Sequence, residues 1–194
     1  MKTPTHLAIN WLILKRLNIS ESKQYAVLLG GVAPDLAIIL VFSLLAVFVH
    51  PFDDALALFR SWYETSPWLI GLHNLLHSPV SLLGLLLLSF LAGAYQKQFE
   101  WFLAGAFVHT FIDIYTHVDD GPLVFWPFNS EYRFQSLLSH WHPDYYGREM
   151  LIAECLLLAA VAFVLLRRFY KYYFRLLYIG QFQFVGFKRA VLHP

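Results

Sequence analysis

Charge is scarce in this sequence. Only 14% of its 194 residues are Asp, Glu, Lys or Arg, and 58% are hydrophobic. An ordinary soluble domain carries about 25% charge, so a water-exposed fold could not hide this much apolar surface. The 14 basic and 13 acidic residues leave a net charge of +1, which excludes the basic bias of a nucleic-acid binder. The single cysteine, Cys155, excludes an internal disulfide framework and reads as a small buried hydrophobe. Also lacking are the Ser-x-x-Lys, G-x-S-x-G and H-E-x-x-H patterns of familiar hydrolases.

What is present is a set of apolar helical stretches. The patterning predicts helices over 4–18, 24–49, 67–95, 100–117 and 149–168. Several approach the roughly 20 residues needed to cross a bilayer core. The second is expected to break at Gly30-Gly31-Val32-Ala33-Pro34, and the third to kink at Pro79. The fold class is therefore all-α, a polytopic membrane helical bundle of about four to five helices with a broken second helix. Segments 50–66 and 118–148, rich in Trp, Tyr, Phe and Pro, read as loops at the membrane–water interface.

Basic residues orient the bundle. The tail holds Arg167, Arg168, Lys171, Arg175, Lys188 and Arg189 with no acid, whereas 118–148 holds Asp119, Asp120, Glu131 and Asp144 against Arg133 and Arg148. The positive-inside rule puts the tail in the cytoplasm and 118–148 outside. The organisation expected is a membrane-embedded domain over 1–168 and a basic, aromatic tail over 169–194 on the inner membrane surface. The site would then face the extracytoplasmic side of a multi-pass inner-membrane protein.

Ionisable groups within apolar helices cost a few kcal/mol each at the bilayer centre, yet this chain repeats them at helical spacing. His109, Asp113 and His117 fall at i, i+4 and i+8, on one stripe of a helix. His73 and His77 form a second i, i+4 pair. Asp35 follows the Gly-Gly/Pro break, and His6 opens the first helix. Imidazole and carboxylate suit zinc, with manganese or iron as alternatives, and the set is large enough for one or two ions. A helix–helix hydrogen-bond network is the non-metal reading of the same residues. Asn10, Ser78 and Thr110 share faces with these residues or adjoin them as supporting groups, and Glu154 reads as a hydrogen-bond acceptor behind the site. His140 and His142 are expected to border the site or lie in an interfacial loop, and His50 and His193 to be exposed.

The order Thr5-His6, Gly31-x-x-Pro34-Asp35, His73-x3-His77-Ser78, His109-x3-Asp113-x-x-Thr116 and Trp126-Pro127 resembles the family of membrane-bound metal-dependent hydrolases related to YdjM. More distantly it is similar to zinc-dependent phospholipase C and P1 nuclease, helical enzymes whose ligands include an H-x3-D pair. The resemblance implies metal-ligand roles for His6, Asp35, His77, His109 and Asp113. It also implies a metal-activated hydroxide attacking a phosphoester or lipid-like substrate, with membrane lipids as surroundings and Asp35 as general base. Two departures matter. Many relatives have a second aspartate where this chain has Leu36-Ala37, which points to one metal rather than two. Many also carry an arginine after the first histidine, where this chain has Asn74, and so lack of it removes an anion-binding group. The alternative function is a non-catalytic membrane protein with a structural metal or an interhelical His/Asp network.

Overall fold

The computed structural model describes residues 1–192, with side chains to residue 174. Eight α-helices are described: α1 (Thr3–Leu14), α2 (Glu21–Gly30), α3 (Ala33–Phe48), α4 (Phe52–Thr65), α5 (Pro67–His77), α6 (Pro79–Leu87), α7 (Gln96–Ile114) and α8 (Gly147–Leu192). Short 3₁₀ segments cover Ser89–Tyr95 and Pro143–Tyr145. Among the described residues there is no strand, only one isolated bridge between Leu123 and Arg133. The all-α expectation holds, with more and shorter helices than the patterning suggested.

Both expected breaks are present. α2 and α3 meet at a 51° bend and α5 and α6 at a 67° bend. The first lies at Gly31-Val32, just ahead of Pro34, which sits in the first turn of α3. There its missing N–H removes no helical hydrogen bond. At the second, Pro79 again takes the first turn, and Ser78 caps α6. The buried Ser78 hydroxyl is shared by the carbonyls of Val124 at 3.1 Å and Trp126 at 2.9 Å. Asn74 Oδ1 accepts from the Leu123 N–H at 2.9 Å. The bend therefore anchors the chain that follows α7.

Segment 50–66 is a correction: it forms α4 instead of a loop. Ala55, Phe59 and Trp62 recur at helical spacing among charged neighbours, so α4 is amphipathic. The third stretch is also shorter than expected, because helix α6 stops at Leu87. The last helix does not stop at 168 but continues to Leu192. The side chains of Arg175, Lys188 and Arg189, and all of His193, lie outside the described residues.

Among the described residues, only Gly147–Phe174 is by itself long and apolar enough to cross a membrane, with a mean hydropathy of 2.4 over its 18-residue apolar window. Counting each bent pair as one broken span raises the number to three at most. The chain divides into two compact units, Met1–Glu154 and Cys155–Pro194. In the second, Cys155 is exposed, not buried as expected, among exposed Leu156, Phe163 and Leu166. In the first, Leu82, Leu103 and Ala106 form a small apolar core. Its other fully buried residues are largely polar, among them Thr5, His6, Asn10, His109 and Glu154.

Candidate metal centre

The site begins with the approach of α2 to α7. A Cβ on Gly30 would lie 1.9 Å from the Phe102 carbonyl oxygen, and one on Gly105 would lie 2.1 Å from that of Val27. Neither position admits a side chain, so the two backbones touch. One turn beyond Gly105, His109 reaches the end of α2, where Nδ1 lies 2.9 Å from the Gly31 carbonyl. A carbonyl only accepts, so Nδ1 carries a proton, and in the neutral ring Nε2 presents a lone pair. That lone pair faces Asp113 Oδ2 at 3.1 Å and Asp35 Oδ1 at 3.4 Å, and Nε2 has no hydrogen-bond partner.

Asp113, one helical turn from His109, uses both oxygens. His77 Nε2 meets Oδ2 at 2.9 Å. On the other side, His6 Nε2 lies 2.9 Å and His117 Nε2 3.6 Å from Oδ1, and the Met1 amine also contacts that oxygen. His6 stacks on His109 with ring centroids 3.6 Å apart. Asp35 is held from outside the cluster, because Thr3 Oγ1 donates to its Oδ2 at 2.5 Å. Thus α1, α3, α5 and α7 each contribute a side chain to one buried polar point.

Asp35, His77, His109 and Asp113 each offer a ligand atom, all within 4.8 Å of one another, and all four residues are buried. Two imidazoles and two carboxylates, with one imidazole lone pair aimed between carboxylate oxygens, fit a divalent cation. His6 joins this group through Asp113. His117 sits at its edge, with Nδ1 3.0 Å from Asp120 Oδ1. That carboxylate–histidine pairing leaves Nε2 turned towards Asp113. His73 is not one of the four: its ring lies 4.3 Å from that of His77, and its Nε2 is 3.4 Å from the Tyr63 hydroxyl.

The remaining polar residues are distributed around this point. Asn10 bonds the His6 carbonyl, Thr110 bonds the Leu76 carbonyl, and Glu154 accepts from Thr5 at 3.2 Å. His140 packs on the ring of His117 at 4.4 Å. His142 pairs with Asp144 on the surface, and His50 is exposed. Asp119 is exposed, as a turn residue should be.

A cavity of about 1200 Å³ opens onto the cluster. Asp35, His73, His77 and Asp113 line its floor, Ile38, Ile39 and Phe59 one wall, and Arg60, Tyr63 and Arg133 reach it as well. These last three carried no signal at the level of motifs. Tyr63 and Arg60 arrive on α4, and Arg133 arrives through the loop bridged at Leu123. At the cavity's edge, burial works to raise the pKa of Asp120, but the hydrogen bond from His117 outweighs it and holds the group down to about 2. Burial, reinforced by the nearby Met1 amine, pushes His140 down to about 4.

A family model described as YdjM inner membrane protein matches residues 1–180 of the chain. No curated protein and no solved structure matches it significantly.

Proposed function

Because the chain belongs to the YdjM inner membrane protein family, we propose that it is a multi-pass membrane hydrolase whose buried His/Asp cluster holds zinc, or another divalent cation, and acts on a phosphoester or lipid-like substrate. The observation that carries this reading is His109. Its Nδ1 proton is committed to Gly31, and its Nε2 points between two carboxylates. Without a cation there, a buried lone pair would face two negative oxygens, or the ring would have to be charged.

His77, His109 and Asp113 would hold the ion, His6 and His117 approach the opposite oxygen of Asp113, and Asp35 beside them, left uncoordinated, would be free as a base. A bound divalent cation supplies a Lewis acid that makes hydroxide available near neutral pH. The protein's own groups do the rest. Thr3 orients Asp35, which faces the cavity and accepts a proton from the attacking water. The Gly31 carbonyl fixes the orientation of His109, and Asp120 fixes that of His117. The bent pairs α2–α3 and α5–α6 act as broken spans in addition to α8, with the cavity on the extracytoplasmic side and the basic tail in the cytoplasm.

The test is metal content of the purified chain, alongside the double variant His109→Ala/Asp113→Ala. The expected result is at least one equivalent of zinc in the wild type and none in the variant. Equal stoichiometry in the two would refute the assignment. The alternative, a non-catalytic centre, draws on the His77–Asp113 contact at 2.9 Å, which ties α5 to α7 without an ion. It gains if the wild type binds zinc yet hydrolyses neither soluble phosphoesters nor phospholipids in a broad screen.

A further inference from the structure

The segment His73–Ser78 contains no arginine, but the cavity receives one from elsewhere. We propose that Arg133 is the anion-recognition residue of this cavity, binding the phosphate head of an amphiphile whose apolar chain lies along Ile38, Ile39 and Phe59. The inference rests on the hydrolase reading for its purpose, though not for its geometry.

Arg133 is half-buried, and its backbone is fixed by the bridge to Leu123. One guanidinium nitrogen donates to the Gly121 carbonyl, and Arg133 lines the same cavity as Tyr63. A guanidinium has five N–H donors in a planar fork, so donors remain for a ligand. Among the described residues, no carboxylate pairs with Arg133 or with Arg60 at ion-pair distance. The other acids of the same cavity are engaged by histidines or exposed. Asp35 and Asp113 face histidines, and Asp120 is taken by His117 and by Trp141 Nε1 at 3.0 Å. Glu64 and Asp119 are exposed. A cationic fork with no anion of its own, partly desolvated in a cavity, is the arrangement that recognises phosphate.

The arginine and the metal centre share a wall. Arg133, Tyr63, His73 and His77 line one cavity, the Tyr63 hydroxyl lies 3.4 Å from His73 Nε2, and His73 packs on His77. A head group held by Arg133 therefore sits beside the floor of the cavity. The volume, about 1200 Å³, exceeds the roughly 300–1,000 Å³ of a pocket for one compact ligand, which leaves room for a chain against the isoleucines. Arg60 supplies a second positive charge from α4.

The test measures binding of hexyl phosphate and of inorganic phosphate to the full chain in phosphatidylcholine nanodiscs by calorimetry, in zinc-loaded and in chelator-treated protein. Hexyl phosphate is expected to bind the zinc-loaded chain more tightly than inorganic phosphate. Arg133→Gln should weaken it by about tenfold or more, the size expected for lost charge-assisted hydrogen bonds, with zinc content unchanged. Arg133→Lys, which keeps the charge and a donor for Gly121, should give an intermediate loss. Unchanged affinity in Arg133→Gln overturns the assignment. If that variant fails to fold, unchanged affinity in both Arg133→Lys and Arg60→Gln overturns it instead. Equal affinity for the two phosphates overturns the amphiphile and leaves a free-phosphate site. A chain that binds no zinc, yet binds hexyl phosphate through Arg133, refutes the hydrolase reading while upholding this one.

Discussion

Helices α7 and α8 invert each other. In α7, His109 is fully buried and Asp113 nearly so, while Phe111 between them is exposed. In the apolar part of α8, leucines and phenylalanines are exposed, and Glu154, at its beginning, is 2% exposed. In water this distribution would be unstable, because apolar surface is favoured inside and charge outside. For α8, which among the described residues is alone long and apolar enough by itself to cross a membrane, a bilayer removes the conflict. Hydrocarbon solvates leucine as well as any core does, so only polar groups gain by converging. The centre of such a molecule is organised by hydrogen bonds, ion contacts and backbone proximity rather than by apolar packing.

That contrast can be broken at its strongest point first. Gly105→Val drives a side chain into the Val27 carbonyl and should force α2 and α7 apart, costing about 3 kcal/mol or more. A collapsed melting temperature in detergent, with zinc lost as well, is the expected outcome, and a normal melt would show that the seam is soft. Asp113→Asn is narrower. It keeps the shape but replaces one acceptor with a donor facing histidines, so bound zinc should disappear while the helical circular dichroism persists. Ser78→Ala removes the donor shared by the Val124 and Trp126 carbonyls. Leaving those acceptors unpaired should cost about 1–3 kcal/mol, read as a fall in melting temperature with zinc content retained. Smallest of all, Leu156→Ala or Phe163→Ala on the exposed face of α8 should change the melt by no more than about 0.5 kcal/mol. A large loss there would mean that a protein partner, not lipid, covers that face.

Much of the site was legible in the order of residues, because helical spacing is local. His109 and Asp113 four residues apart must share a face, and the Gly-Gly/Pro break marked where Asp35 would start a helix. The same logic overreached at His73, which lies on the right face of α5 but stops at Tyr63, one ring short of the four-residue group. Arg133 was not legible. It enters through a loop whose course is set by Ser78 and Asn74 bonding distant backbone groups, and such contacts leave no periodic trace. Helix α4 was readable in principle from Ala55, Phe59 and Trp62, but its aromatic and acidic content imitates an interfacial loop. The number of membrane crossings was not legible for a different reason: the two bent helix pairs are long and apolar enough for a span only when each pair is counted as one.

The acceptor for His109 is the Gly31 backbone, not a side chain, and this affects how the centre tolerates mutation. A side-chain partner can be deleted by one codon change; a main-chain carbonyl cannot. Substitutions that disturb the Nδ1 contact of His109 must first separate α2 from α7, so selection on this interaction falls on Gly30 and Gly105, neither of which belongs to the His/Asp group. Variation at those two glycines would report on the metal centre as faithfully as variation at the ligands themselves.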